Sequence, residues 1–384
     1  MSPEWNDMQR TDFVRRGFSR RDFARIATLV TAGAALPFYN EPALAQLSMV
    51  RNMPADAVKI NANENPMGPC PEAADAIHNI IKNGGRYMYE SAFEVAETLA
   101  TQEDLKSSYA DIYPGSSAPL HQAVLAFCSK DRPFVKGDPG YEAGERAAKF
   151  IGASTVNVPL RKGTWDHDVK AMFAAAPNAG IYYICNPNNP TGTLTSKVDI
   201  EWLLANKPAD SVVLVDEAYI HISPSAVRCS DLVARDKEII VLRTFSKLYG
   251  MAGLRAGVAL ARPDLLEKIK PYSAGAMPIT AVAGANASLN VKNLVPARRK
   301  IMGDIREDTF SWLTARNVEF ISSESNCFML NARRSGRDFY NAMASHNVYI
   351  GRVWPVWPQW VRVTVGSKED MAAFKDAFTK VYNA

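Results

Sequence analysis

Short apolar runs alternate with helical patterns between residues 109 and 260 of this chain. The runs are continuously apolar, which is typical of strands that are covered by helices on both faces. Helical spacing separates them, as in Leu120, Val124 and Phe127 and again over 142–151. The predicted strands are 111–113, 133–135, 155–158, 181–185, 212–215, 239–242 and 257–260. This pattern predicts an α/β fold with a mainly parallel central sheet.

The pattern changes at about residue 288. A long, charged helical segment covers 291–317, strands are predicted at 349–352 and 361–365, and a final helix begins at Lys368. This order predicts a smaller α+β domain. A second domain is expected, because 384 residues are too many for one simple hydrophobic core. The predicted units are an N-terminal arm rich in Asn and Pro at 46–86, a large cofactor-binding domain at 87–287 and a small domain at 288–384.

The first 45 residues have the features of an export signal. Arg20 and Arg21 precede an apolar stretch at 26–36, and Ala43-Leu-Ala45 follows it. This order is typical of a cleaved Tat signal peptide and predicts a periplasmic protein. The apolar stretch is too short to span a bilayer, so no stable membrane anchor is expected. The alternative is a basic amphipathic helix on a cytoplasmic enzyme.

Composition excludes several classes of function. The net charge is only +4, and the body of the chain has no block of lysines and arginines, so nucleic-acid binding is unsupported. The five cysteines stand singly, which predicts neither a zinc site nor a disulfide framework. The five histidines lack the spacing of metal ligands, so no metal is expected.

Polar motifs follow the predicted strands, at the ends where open parallel sheets bind their ligands. In Tyr113-Pro-Gly-Ser-Ser117, the hydroxyls of Ser116 and Ser117 precede a helix and predict an anion site. The alternative is a capped helix without a ligand. In Asn186-Pro-Asn-Asn-Pro-Thr-Gly192, two prolines fix a turn that directs Asn189, although a purely structural turn has the same pattern.

A third motif places a carboxylate at the end of a buried strand. Asp216 follows the apolar run 212–215 and needs a partner, because an unpaired buried carboxylate is costly. A pyridinium nitrogen would serve, and Tyr219 could then reach a ring hydroxyl. The alternatives are a salt bridge or a helix cap.

A fourth motif contains a lysine suited to a Schiff base beside a bound phosphate. Lys247 follows the run 239–242, Thr244 and Ser246 can donate to phosphate oxygens, and Arg255 can bind them through two nitrogens. Upstream, Tyr141 could stack on a flat ring. The alternatives are a surface lysine and a tyrosine that only packs.

These motifs together resemble the fold-type I pyridoxal-phosphate-dependent aminotransferases of class I/II, and above all the histidinol-phosphate aminotransferase-like group. NPNNPTG, VDEAY, RTFSKLYGMAGLRAG and VRVTVG carry the resemblance, which extends from about Ile60 to the C-terminus. It implies pyridoxal 5'-phosphate as the cofactor, an amino acid and a 2-oxo acid as substrates, ping-pong transamination and a homodimer.

The resemblance also implies a role for each matching residue. Lys247 forms the Schiff base and then moves the proton, and Asp216 pairs with the pyridine nitrogen. Tyr219 and Asn189 contact the ring oxygen, and Tyr141 stacks on the ring. The implied phosphate ligands are Ser116, Ser117, Thr244, Ser246 and Arg255. Arg362 would bind the substrate α-carboxylate, Arg352 would line the same pocket, and Tyr87 would reach the phosphate of a neighbouring subunit.

The segment 353–360 contains three tryptophans directly before Arg362. We therefore predict an amino acid with an apolar or aromatic side chain, unless these tryptophans pack the small domain or a dimer interface instead. The same fold also hosts lyases, cyclases and amino-acid oxidases, and a non-catalytic cofactor-binding sensor is a further alternative. Hydride transfer is unsupported, because no GxGxxG follows the first strand.

Overall fold

The computed structural model describes residues 53–273 and 275–382. The predicted signal peptide at 1–45 lies outside these ranges. In chain order the strands are β1 (Val58–Ile60), β2 (Ala110–Tyr113), β3 (Phe134–Asp138), β4 (Thr155–Pro159), β5 (Ile181–Cys185), β6 (Val212–Asp216), β7 (Ile239–Thr244), β8 (Gly257–Ala261), β9 (Cys327–Asn331), β10 (Val348–Ile350) and β11 (Trp360–Thr364). The α-helices are α1 (Pro71–Ile80), α2 (Tyr89–Gln102), α3 (Ser117–Phe127), α4 (Ala143–Phe150), α5 (Val169–Ala175), α6 (Lys197–Asn206), α7 (Ser230–Ala234), α8 (Pro263–Ile269), α9 (Ile279–Asn290), α10 (Leu294–Thr314), α11 (Gly336–Ala344) and α12 (Lys368–Val381).

The centre of the molecule is a seven-stranded sheet in the order β2-β8-β7-β6-β5-β3-β4. Strands β3 to β7 pair in parallel, whereas β8 runs antiparallel to both of its neighbours. Every residue of β5, β6, β7 and β8 is buried, which explains their continuous apolar runs. The predicted α/β fold with a mainly parallel sheet is confirmed.

A second apolar cluster lies in the C-terminal part. It joins Ile60 to side chains between Ile305 and Val381, around the antiparallel pair β9–β11 and the parallel pair β1–β10. Helix α10 contributes to both clusters, because Met302 packs in the first and Ile305 in the second. One helix therefore connects the two cores.

The segment expected to be an arm has regular structure. Strand β1 pairs with β10, and α1 packs against α9. The chain between them, 61–70, crosses from one core to the other. This path brings its asparagines close to the carboxyl ends of the sheet strands.

Helix α10 begins three residues after the predicted start at 291. Val291 has an extended backbone at the end of α9, so the helical pattern is interrupted there. Within the ranges that the structure describes, no helix combines the length and apolar character needed to cross a membrane.

Candidate active site

A cavity lies at the carboxyl ends of the central strands. Every predicted cofactor residue except Tyr87 lines it. The full lining is Ala62, Glu64, Ser116, Ser117, Tyr141, Cys185, Asn189, Asp216, Ala218, Tyr219, Thr244, Ser246, Lys247, Ala252 and Arg255. Motifs separated by up to 139 residues in sequence, from Ser116 to Arg255, therefore meet at one place.

The acidic side of the cavity is formed by Asp216, at the end of β6 and only 3% exposed. Its carboxylate accepts a hydrogen bond from the Tyr183 hydroxyl at 2.9 Å and one from the Ala218 amide at 3.1 Å. Burial raises the pKa of both the Tyr183 hydroxyl and the neighbouring Cys185 thiol, so both stay protonated and Tyr183 remains a donor. The carboxylate is thus oriented by neutral donors and faces the cavity.

The basic side is formed by Lys247, which follows β7 and is 4% exposed. Its Nζ lies 5.5 Å from the centre of the Tyr219 ring. Strands β6 and β7 are parallel neighbours, with Asp216 opposite Leu242, so a buried amine and a buried carboxylate enter one cavity from adjacent strands. A planar cationic ring bearing an aldehyde would match these two groups.

Donors at the opposite end form a cradle for an anion. Arg255 donates from Nη1 to the Ser246 Oγ at 3.3 Å, and Thr244 donates to the same oxygen at 2.9 Å. Ser116 precedes α3, but its side chain makes no hydrogen bond to that helix, so its hydroxyl is not used as a cap. The α3 N-terminus itself favours an anion.

Two glycines allow this cradle to be so compact. A Cβ at Gly115 would lie 2.1 Å from Nη2 of Arg255, and one at Gly257 would lie 2.4 Å from the Ser116 amide nitrogen. A guanidinium, hydroxyls and a helix N-terminus therefore converge where any side chain would clash. This donor set fits a phosphate monoester.

The predicted substrate arginines are not among the described residues that line the cavity, although Arg362 contacts one of them. Arg362 on β11 is 2% exposed and donates from Nη1 to Asn189 Oδ1 at 2.9 Å and from Nη2 to the Asn61 carbonyl at 2.7 Å. Arg352 forms an ion pair with Glu142 at 2.5 Å. Since Asn189 lines the cavity, Arg362 is joined to it through one hydrogen bond.

Trp354 is buried between these two arginines. The guanidinium carbons of Arg352 and Arg362 lie 4.3 and 5.7 Å from its ring centre, and its indole N–H donates to the Gly140 carbonyl at 3.2 Å. The other two tryptophans of the segment, Trp357 and Trp360, are partly buried beside it. The segment thus packs against the arginines as well as within the C-terminal part.

Tyr87 lies apart from the cavity of its own chain. Its side chain is 71% exposed and stacks on Tyr89, with ring centres 5.5 Å apart. The structure brings together the other predicted cofactor residues without it.

Sequence reasoning missed several residues that touch the site. Tyr183 carried a signal, because a tyrosine within a buried strand needs a hydrogen-bond partner. Asn63 is fully buried, adopts a left-handed backbone (φ 53°) and donates to the Tyr219 hydroxyl at 3.0 Å. Its signal was the asparagine-rich arm, which gave no indication of its partner.

Comparison with known protein families shows the family of this chain. The model of the family "Aminotransferase class I and II" matches residues 55–378. The chain belongs to this family. The predicted enzyme class, a pyridoxal-phosphate-dependent aminotransferase, is confirmed at this level.

Individual relatives cover most of the chain. A histidinol-phosphate aminotransferase of Symbiobacterium thermophilum is 30% identical over 84% of this chain and 90% of its own length. An aromatic amino acid aminotransferase of Rhodococcus jostii is 32% identical over 84% of this chain and 90% of its own. The crystal structure of histidinol-phosphate aminotransferase from Sinorhizobium meliloti in complex with pyridoxal 5'-phosphate superposes with a TM-score of 0.79, at 23% identity, over 91% of this chain and 96% of its own, which shows a shared fold.

Proposed function

We propose that this aminotransferase transfers the amino group of an amino acid with an apolar or aromatic side chain to a 2-oxo acid. One observation carries the proposal: Lys247 and Asp216 enter a single cavity from adjacent strands, and the anion cradle around Arg255 lines the same cavity. A buried amine, a buried carboxylate and a phosphate-sized cradle are the groups that pyridoxal phosphate requires.

Each cavity residue predicted from the sequence has a role in this proposal. Asp216 holds the ring nitrogen protonated, and Tyr219 and Asn189 orient the ring oxygen. Tyr141 covers one face of the ring. The proposed phosphate ligands are Ser116, Ser117, Thr244, Ser246 and Arg255. When bound, pyridoxal phosphate supplies an electron-withdrawing ring that takes up the electron pair left by the departing α-proton.

Lys247 moves the proton. Its amine would hold the cofactor through the aldehyde carbon. Once a substrate amine had taken that place, the freed Nζ would accept the proton from the substrate α-carbon and return it. Burial of Lys247 at 4% exposure supports this role, because a dry amine keeps the proton from exchanging with bulk water.

The proposed substrate class rests on Arg362 and Trp354. Arg362 would bind the α-carboxylate, since Asn189 and Asn61 are neutral and no carboxylate in the described part of the chain pairs with it. Trp354 contributes a large apolar surface against the same guanidinium. A relative named as an aromatic amino acid aminotransferase supports this choice.

A panel of amino donors with the purified enzyme tests the proposed reaction. We expect phenylalanine, tyrosine or tryptophan to yield an oxo acid only when an acceptor oxo acid is present. Release of ammonia with peroxide, or of carbon dioxide, without any acceptor would contradict transamination. A wide preference for acidic or phosphorylated donors would contradict the proposed substrate class.

We also propose a homodimer. Tyr87, Tyr89 and Phe93 are exposed aromatic side chains around the start of α2, and a groove between α1, α2 and α9 lies nearby. A second copy would cover this surface and receive Tyr87 at its phosphate. Sedimentation analysis should give twice the mass of one chain, and Tyr87→Phe should weaken cofactor binding while the dimer persists.

Export by the Tat route is a separate proposal. It rests on the sequence of residues 1–45 alone, with Arg20 and Arg21 as the decisive pair. The full chain expressed in a bacterium should appear in the periplasmic fraction in a shortened form. Replacing both arginines with lysine should keep it in the cytoplasm at full length.

A further inference from the structure

Glu142 immediately follows Tyr141, which lines the cavity, and precedes the first turn of α4. Its carboxylate lies 2.5 Å from Nη2 of Arg352. The two side chains are 21% and 9% exposed, so water screens this ion pair only weakly. A tight ion pair therefore lies next to Tyr141, at the edge of the cavity, and Glu142 and Trp354 also line a second pocket with Lys136 and Glu145.

Trp354 fixes the geometry of this ion pair. The guanidinium of Arg352 lies 4.3 Å from its ring centre, and the indole N–H is held by the Gly140 carbonyl at 3.2 Å. Gly140 and Glu142 flank Tyr141, so one short loop holds both the indole and the carboxylate. Arg352 is thus held between an aromatic face and a negative charge.

The two arginines consequently differ in available charge. Among the residues that the structure describes, Arg362 donates to neutral oxygens of Asn189 and Asn61 and makes no ion pair. Arg352 has a carboxylate as a close partner. One α-carboxylate therefore balances the positive charge beside the cavity, and a second anionic group on a substrate would have to compete with Glu142 for Arg352.

We propose that Glu142 is a specificity-determining residue that disfavours amino donors with an anionic side chain by occupying Arg352. The inference rests on the proposed transamination and names the substrate class of the same site. A neutral side chain carries no charge that competes for Arg352, so it leaves the ion pair undisturbed. Glu142 repels a phosphate or ω-carboxylate group, and Arg352 does not offset this repulsion because it is already paired with Glu142.

Glu142→Gln tests the proposal, because glutamine keeps the size and the hydrogen-bond acceptor of the side chain and removes only its charge. The kcat/KM values for glutamate and O-phosphoserine would be compared with that for phenylalanine in the holoenzyme. We expect the ratio of anionic to neutral donors to rise about tenfold or more, the change that corresponds to about 1.4 kcal/mol. An unchanged or lower ratio would overturn the proposal.

Glu145→Gln is the matched control. Glu145 lies on the same helix, α4, but its carboxylate is 3.6 Å from Lys136 and makes no ion pair with Arg352 in the described structure. This variant should leave the ratio at the wild-type value. A rise in both variants would indicate a general charge effect and would also overturn the specific role of Glu142.

A binding measurement separates this inference from the proposed reaction. Thermal shifts of the holoenzyme would be recorded with succinate and with 3-phenylpropionate, which bind without reacting. Glu142→Gln should strengthen succinate binding about tenfold and leave 3-phenylpropionate binding nearly unchanged. If the wild type fails to transaminate any donor, the proposed function fails, whereas equal succinate binding in the variant and the wild type defeats the role of Glu142 alone.

Discussion

The cofactor side and the substrate side of this site are built in different ways. Asp216, Thr244 and Lys247 lie at or just after the ends of buried parallel strands, and backbone pairing fixes their relative positions. Arg362 and Arg352 are instead held by side chains from other segments, Arg362 by Asn189 and Arg352 by Glu142, and both lie near Trp354. The sheet therefore fixes the cofactor side, whereas contacts between distant segments fix the substrate side.

The strongest test of the cofactor side is Lys247→Ala. Removal of the amine that moves the proton should lower kcat by about 10³-fold or more, while pyridoxal phosphate still binds through its phosphate. Single-turnover absorbance measurements with an amino donor would provide the rate. Lys270→Ala, at an exposed lysine paired with Glu267, is the control and should be fully active. Near-normal turnover of Lys247→Ala would refute the assigned role.

This half of the site was predictable from the sequence for a physical reason. A strand that is buried on both faces is apolar throughout, so a polar residue at its end stands out. Asp216 and Lys247 both follow such runs, and the glycines at 115 and 257 lie beside Ser116 and Arg255. Parallel pairing then brings consecutive strand ends to one edge, so order along the chain predicts proximity.

The substrate side was less predictable, because its contacts are non-local. Asn63 lies 156 residues from Tyr219 and 301 from Thr364, yet it is hydrogen-bonded to both. No local pattern indicates that Glu142 will pair with Arg352. Trp354 was noticed as a tryptophan near Arg362, but its position between two guanidiniums depends on the packing of the C-terminal part against the sheet.

Arg362→Lys should impair the substrate side of the site and leave the cofactor side intact. Lysine keeps the charge but cannot reach Asn189, Asn61 and a carboxylate together. We expect kcat/KM for amino donors to fall about 10²-fold, as is typical when a buried charged contact is lost, with cofactor affinity unchanged. Arg306→Lys, at another buried arginine, which contacts Glu307, is the control. Equal loss in both variants would contradict a substrate-binding role.

Tyr183→Phe should act on the cofactor side with a smaller effect. The hydroxyl donates to Asp216 at 2.9 Å, and a hydrogen bond to a charged group contributes about 1.5–3 kcal/mol. We expect the Kd for pyridoxal phosphate to rise about tenfold, measured by titration of the apoenzyme. Tyr182→Phe removes a hydroxyl that donates to the Ala176 carbonyl and should leave the Kd unchanged. Identical Kd values in the two variants would argue against the orienting role of Tyr183.

A pH effect on stability should come from His167, which supports the loop carrying Asn189. Its Nδ1 lies 2.9 Å from Thr195 Oγ1, and the Thr195 amide donates to Asn186 Oδ1 at 2.9 Å. Burial lowers the pKa of His167 to about 4, below its usual value near 6.5. The neutral ring therefore stabilises the fold above about pH 6.5, and this contribution is lost as the pH falls towards 4.

Urea unfolding between pH 7 and 4 would measure this effect. The free energy of unfolding should fall by up to about 1.4 kcal/mol per pH unit for one such group, and His167→Gln should make the fall shallower. Burial also lowers the pKa of His121 and His221, so part of the dependence should remain. His346→Gln, at an exposed histidine, is the control. Equal slopes in the wild type and His167→Gln would contradict the assignment.

Whether Lys247 carries the cofactor is tested most directly by reducing the purified holoenzyme with borohydride, digesting it and analysing the peptides by mass spectrometry. We expect a pyridoxyl phosphate adduct on the peptide that carries Lys247, where the amine enters the same cavity as Asp216 and the anion cradle. An adduct confined to another lysine, or no adduct on a protein supplied with pyridoxal phosphate, would contradict it.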